Sequence, residues 1–151
     1  MSFTIPVPPF TQARVKKHVV RIDRPAPNPW AAVGTPVWVD AFLDRINAVG
    51  DLQAGWDGAV ARAVSDAAVT CAMNFITEVM ERDTPAPAVV PVNDGGLQLE
   101  WQYPALRVEV YIAPDGIVTA WLREPDQETE LDYYPSARIA QALKALRPAR
   151  A

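Results

Sequence analysis

Residues 88–122, AVVPVNDGGLQLEWQYPALRVEVYIAPDGIVTAWL, carry the clearest structural signal in the chain. Apolar side chains recur there at every second position, the period that sends neighbouring residues to opposite faces of a β-strand. Ala88 to Val92 reads as a short strand, and Asn93-Asp94-Gly95-Gly96 as a hairpin of type I′, which needs φ > 0 at both central residues. Leu97 to Tyr103 follows, with Leu97, Leu99, Trp101 and Tyr103 on one face and Gln98, Glu100 and Gln102 on the other. Leu106, Val108, Val110 and Ile112 line the same inner face from a third strand, and Pro114-Asp115-Gly116 turns the chain into a fourth, Ile117 to Leu122.

Register follows from the turns. One centred on Pro104 and Ala105 pairs Trp101 with Val108 and Leu99 with Val110, and it sets Glu100 opposite Glu109 on the outer face. A four-residue loop at 113–116 would bring Trp121 opposite Val108, with Ile117, Thr119 and Trp121 inward. Val118, Ala120 and Leu122 then lie outward, and a strand apolar on both faces needs cover on both. Val118 and Leu122 are therefore expected to be covered by the N-terminal arm or to meet a partner.

Helices flank this meander. Thr35-Pro36 has the form of an N-cap followed by proline at the first helical position, and Val39, Phe42, Leu43 and Ile46 continue at helical spacing, so a helix is predicted over 36–48. Ser65 can cap a second, over 65–82, with Val69, Ala72, Met73, Ile76 and Val79 on one stripe. A third is predicted over 136–147, before Pro148. The fold class is α+β: an antiparallel four-stranded β-meander packed by two to three α-helices. The acidic run Glu124 to Asp132 reads as a solvated loop or an edge strand, or as a cradle for the basic arm of another copy.

Residues 1–34 differ from this body, 35–151, and form an extended, proline-rich arm. Pro6, Pro8, Pro9, Pro25, Pro27 and Pro29 oppose helix, and between them Val15 to Ile22 can make a short strand. Arg14, Lys16, Lys17, Arg21 and Arg24 against Asp23 alone make the arm +4, which leaves −8 for the body of a chain with net charge −4. Phe3, Ile5, Val7 and Phe10 need cover from the body or a partner. Phosphates would attract the arm but be repelled by the body, so an acidic protein surface suits it better than nucleic acid.

Several chemistries find no residues here. One cysteine and one histidine exclude the common zinc sites, and phosphate-cradling glycine loops are absent. His18, beside Lys17, is a poor base for a nucleophilic triad. Cys71 lies at the edge of an apolar helical stripe, where cysteine behaves as a small hydrophobe. Glu100 and Glu109 could share a proton or hold a hard cation, but on the outer face of a half-buried sheet they read as a solvated pair with Arg107 close enough to relieve repulsion. No catalytic residue, cofactor or metal is expected. With one cysteine, no apolar run of ~20 residues and no basic leader, the chain is expected in the cytoplasm and off the membrane.

Gly55-Trp56-Asp57-Gly58, then Ser65, then Gly95-Gly96-Leu97-Gln98-Leu99-Glu100-Trp101, resembles a family of small uncharacterised bacterial proteins with the pattern W-D-G, P-x-S and G-G-x-x-L-E-W. The likeness covers about residues 50–122; here Ala59-Val60-Ala61 follows the W-D-G triplet where the family has Tyr-Gly-Ala. It implies a bacterial, phage or mobile-element source and an accessory role, and it brings no activity. Trp56 is expected to pack beneath the second helix, with Asp57-Gly58 turning the chain. The expected function is a non-enzymatic subunit that docks on copies of itself or on a larger complex through Phe3, Phe10, Arg14, Lys16, Lys17, Arg21, Val118 and Leu122. The alternative is a small regulator or antitoxin-like, defence-associated factor whose basic arm contacts nucleic acid or an enzyme.

Overall fold

Two Asp-Gly turns set the geometry of the sheet. In the computed structural model, which describes residues 34–132 and 134–148, Gly95 N–H donates to Val92 O and Val92 N–H to Gly96 O, both at 3.0 Å. Gly95 has φ +96° while Asn93 and Asp94 stay at negative φ. The loop is therefore a type I turn closed by a left-handed glycine, not the expected type I′ turn. Asp94 Oδ1 accepts the Gly96 N–H at 2.8 Å. The same device recurs at Pro114-Asp115-Gly116: Gly116 N–H donates to Ala113 O, Ala113 N–H to Ile117 O, Gly116 has φ +91°, and Asp115 Oδ1 accepts the Ile117 N–H.

Five antiparallel strands follow in sequence order: β1 (Ala88–Pro91), β2 (Leu97–Tyr103), β3 (Leu106–Ile112), β4 (Val118–Glu124) and β5 (Gln127–Leu131). The fifth strand corrects the expected four. Within the acidic run, Thr129 and Leu131 face the core side opposite Leu122 and Ala120, while Glu128 and Glu130 face out. Of its two inward residues only Leu131 is strongly apolar, so the alternation is hard to see.

Between β2 and β3 the register is the expected one, with Trp101 paired to Val108, Leu99 to Val110 and Glu100 to Glu109. Between β3 and β4 it is shifted by one residue. Because Ala113 and Ile117 close a loop of three residues instead of four, Ile112 pairs with Val118 and Val108 with Leu122. A one-residue slip exchanges the two faces of a strand. Val118, Ala120 and Leu122 are thus buried in the core, and Trp121 is turned outward. Tyr103, expected inward, lies at the sheet rim and is 39 % exposed.

Three helices among the described residues cover the inner face: α1 (Val39–Gly50), α2 (Asp66–Val79) and α3 (Ser136–Leu143), the last running into a 3-10 turn at Lys144–Leu146. Phe42 and Ile46, Phe75 and Ile76, and Ile139 and Leu143 join Leu97, Leu99, Trp101, Val108, Val110, Ile112 and Leu122 in one core. Each such aliphatic or aromatic side chain contributes ~1.5–3 kcal/mol on burial. Ser65 caps α2 as expected, accepting the Ala68 N–H at 3.0 Å.

α1 starts later than Thr35-Pro36 would set it. Val37 N–H donates to Arg82 O and the Arg82 guanidinium to Gly34 O, so the incoming chain is pinned to the exit of α2 and turns once more before Trp38, which stands at the N-cap. α2 ends at Val79 and not at 82, because Met80 is extended (ψ 140°) and Thr84 Oγ1 takes the Glu81 N–H ahead of Pro85. Trp101 Nε1–H then donates to Pro85 O at 2.9 Å, tying that exit to the sheet.

The shifted register has a direct thermodynamic consequence. Leu122→Ala should cost about 2–5 kcal/mol in a urea unfolding titration, whereas Trp121→Ala should cost about 1 kcal/mol or less. The reverse order would place Trp121 inside and overturn the pairing of β3 with β4.

Candidate functional site

Five of the motif residues, Trp56, Asp57, Gly58, Gly95 and Gly96, gather at the end of the sheet that carries both Asp-Gly turns. Asp57 Oδ1 accepts the N–H groups of Ala59 and Ala61, at 2.9 and 3.1 Å, and so folds its own loop. Gly58 holds φ +83° and its N–H donates to Gly55 O. The half-buried Trp56 gives its indole N–H to Arg62 O at 3.0 Å, and Arg62 N–H reaches Asn93 O in the first turn. Ser65 connects to both turns: its N–H donates to Gly95 O at 2.9 Å and its hydroxyl to Pro114 O at 2.6 Å.

Gly96 passes so close to β3 that an added Cβ would lie 2.5 Å from Ile112 O. Five of the seven motif residues, Trp56, Asp57, Gly58, Gly95 and Gly96, thereby hold backbone in place, and Trp101 does so at Pro85 O. The seventh, Glu100, points the other way.

Glu100 belongs to a row that crosses all five strands on the face opposite the helices: Ala88, Glu100, Glu109, Trp121 and Glu130 are successive cross-strand partners. Gln98, Tyr111 and Thr119 form the row on one side, and Gln102, Arg107, Arg123 and Glu128 the row on the other. Gln98 and Gln102 each donate a side-chain N–H to one oxygen of Glu100, at 2.9 and 2.8 Å. Repulsion between Glu100 and Glu109 is thus eased by two amides. Arg107 was expected in that role, but it donates to Gln102 Oε1 at 3.2 Å. Tyr111, Thr119, Trp121, Glu109 and Glu130 surround a shallow depression of about 270 Å³.

Of the residues expected to meet a partner, Phe3, Phe10, Arg14, Lys16, Lys17 and Arg21 lie outside the described residues, as do His18 and the rest of the arm before Gly34. Val118 and Leu122 are 2 % and 0 % exposed and cannot serve as a contact patch on the folded domain. The chain's own core covers them. The large aromatic residues on the outer face are instead Tyr111 and Trp121, both partly exposed. Trp121 would have been found there by reading Pro-Asp-Gly as a three-residue loop with glycine in the left-handed position.

Other reactive groups are engaged within the fold. Cys71 gives its thiol hydrogen to Gly116 O at 3.3 Å, and burial, with a smaller push from Glu78, raises its pKa and keeps it a thiol. Among the described residues no group of three or more His, Cys, Asp or Glu is placed to hold a metal ion, and no helix is long and apolar enough to cross a membrane. Searches of protein-family models, curated proteins and solved structures return no match to this chain. The W-D-G likeness therefore stands on the motif residues alone.

Two phenols record this geometry in their titration. A hydrogen bond to Asp94, then partial burial, pushes Tyr111 up to about 12. Partial burial, then a hydrogen bond to Glu78, does the same for Tyr134. A folded pKa above the unfolded value near 10 gives stability that is complete below pH ~10 and lost as pH rises through about 12. Ultraviolet titration should show late-ionising tyrosine, and Tyr111→Phe should remove one such group. An unchanged late phase in that variant would break the Tyr111–Asp94 contact.

Proposed function

We propose that this chain acts by non-enzymatic protein contact, as a subunit or accessory factor that receives a partner on the outer face of its sheet. One observation carries the reading: three helices lie over one face, and no described element lies over the other, where Trp121 and Tyr111 are set among carboxylates and side-chain amides. Aromatic side chains supply large contact area at small entropic cost, and contact surfaces are enriched in them.

The charge of the face narrows the partner. Glu100, Glu109, Glu128 and Glu130 outnumber Arg107 and Arg123 there, so a phosphate backbone is repelled and a basic or amide-rich protein surface is favoured. The carboxylates would set partner choice and association rate, and Trp121 would hold the complex.

Affinity capture from the native host tests this with three full-length proteins: wild type, Trp121→Ala combined with Glu109→Lys, and Gln141→Ala on the exposed side of α3. The proposal expects proteins retained by wild type and by the helix variant but lost from the face variant. Identical protein sets on all three would exclude the face as the contact.

A further inference from the structure

The connector after α2 joins the two ends of the described body. Met80 leaves the helix in an extended conformation, and residues 81–84 close a turn in which Thr84 N–H donates to Glu81 O and Glu81 N–H to the buried Thr84 hydroxyl. Trp101 holds the far side of that turn at Pro85 O. Arg82 takes the entry to α1: its carbonyl accepts the Val37 N–H at 3.0 Å, and its guanidinium donates to Gly34 O at 2.8 Å. Glu81 and Asp83, on either side of it in sequence, take the exit from α3. There Arg147, just after the 3-10 turn, pairs with Glu81 at 2.5 Å and with Asp83 at 2.6 Å. Three consecutive residues thus tie the start of the body to its end.

Arg147 is the part of this junction that salt can open. Isolated surface ion pairs contribute little, but a guanidinium shared between two carboxylates forms a small network, and its rigid fork fixes their geometry. Take that cation away and Glu81 and Asp83 are left as like charges flanking Arg82, so the turn that presents Arg82 to the entry loses the group that holds its two acidic side chains together. The network is also open to solvent ions: the Arg147 side chain is 20 % exposed, Glu81 43 % and Asp83 31 %. The apolar core and the strand ladder do not share that sensitivity.

We infer that Arg147 is a salt-sensitive latch. Closed, it holds the 81–84 turn and, through Arg82, the entry to α1; open, it loosens the entry and the exit together while the sheet stays folded. Local openings of this kind are drawn from segments with few buried contacts, such as the ends of a domain. The latch gives those ends a common response to ionic strength. It stands apart from the reading of the sheet face, since none of its residues belongs to a strand.

Amide hydrogen exchange on the full-length protein tests it, with wild type, Arg147→Gln and Arg138→Gln, the last breaking the comparable pair with Glu124. In Arg147→Gln the amides of Val37 and Glu81 should exchange roughly threefold faster or more, with those of β3 unchanged, and Arg138→Gln should leave Val37 and Glu81 as in wild type. Raising NaCl to ~1 M, where charges are screened beyond ~3 Å, should speed Val37 and Glu81 in wild type and add nothing in Arg147→Gln. The wild-type salt series stands without any variant: Val37 and Glu81 must respond together. Val37 protection that is unchanged in Arg147→Gln would separate the two ends. Equal acceleration in β3 would make the effect a general loss of stability, and a salt response that persists in Arg147→Gln would put the sensitive contact elsewhere; each overturns the inference.

Discussion

Gly95 and Gly116 each close a three-residue hairpin loop at positive φ, and the length of that loop determines which side of the sheet every later residue occupies. An L-residue at such a φ costs ~1–2 kcal/mol, so glycine is the residue that lets the turn form without strain. The aspartate before it accepts the N–H two residues on, in both turns. Ser65 then binds both turns to the start of α2 through one N–H and one hydroxyl. Register, helix placement and the closure of that end of the sheet share this one arrangement.

A one-sided sheet follows. With β4 in its observed register, Val118, Ala120 and Leu122 complete the core, and the polar and aromatic residues of four strands are left together on the opposite face. Carboxylates set side by side would oppose that face if they were dry. Here they remain partly wet, and Glu100 is held by two glutamine amides. The cost is modest and leaves a surface with a strong electrostatic preference.

Much of this was legible in the residues. Strict alternation in Leu97–Tyr103 and Leu106–Ile112 fixed two strands and their pairing, because a wrong parity would bury Glu100 and Glu109. Ser65 announced its helix, since its side chain accepts the Ala68 N–H as an N-cap should. Ile117-Val118-Thr119-Ala120-Trp121-Leu122 did not reveal its faces. Both sets contain large apolar residues, so only the turn could decide, and a glycine-closed loop of three residues looks in sequence like a loop of four. β5 was obscure for the opposite reason: three of its five residues are exposed and polar, and Leu131 alone is strongly apolar. The helix starts failed locally, at Thr35-Pro36, because a tertiary contact from Val37 to Arg82 outweighed a good capping pair.

The polar and aromatic outer face exists only if β4 pairs with β3 in the register described, and cross-strand nuclear Overhauser contacts in the full-length protein measure that register directly. Backbone contacts linking Val108 with Leu122 and Val110 with Ala120 are the predicted result. Contacts linking Val108 with Trp121 and Val110 with Thr119 would return the tryptophan to the core and contradict the whole account of the contact surface.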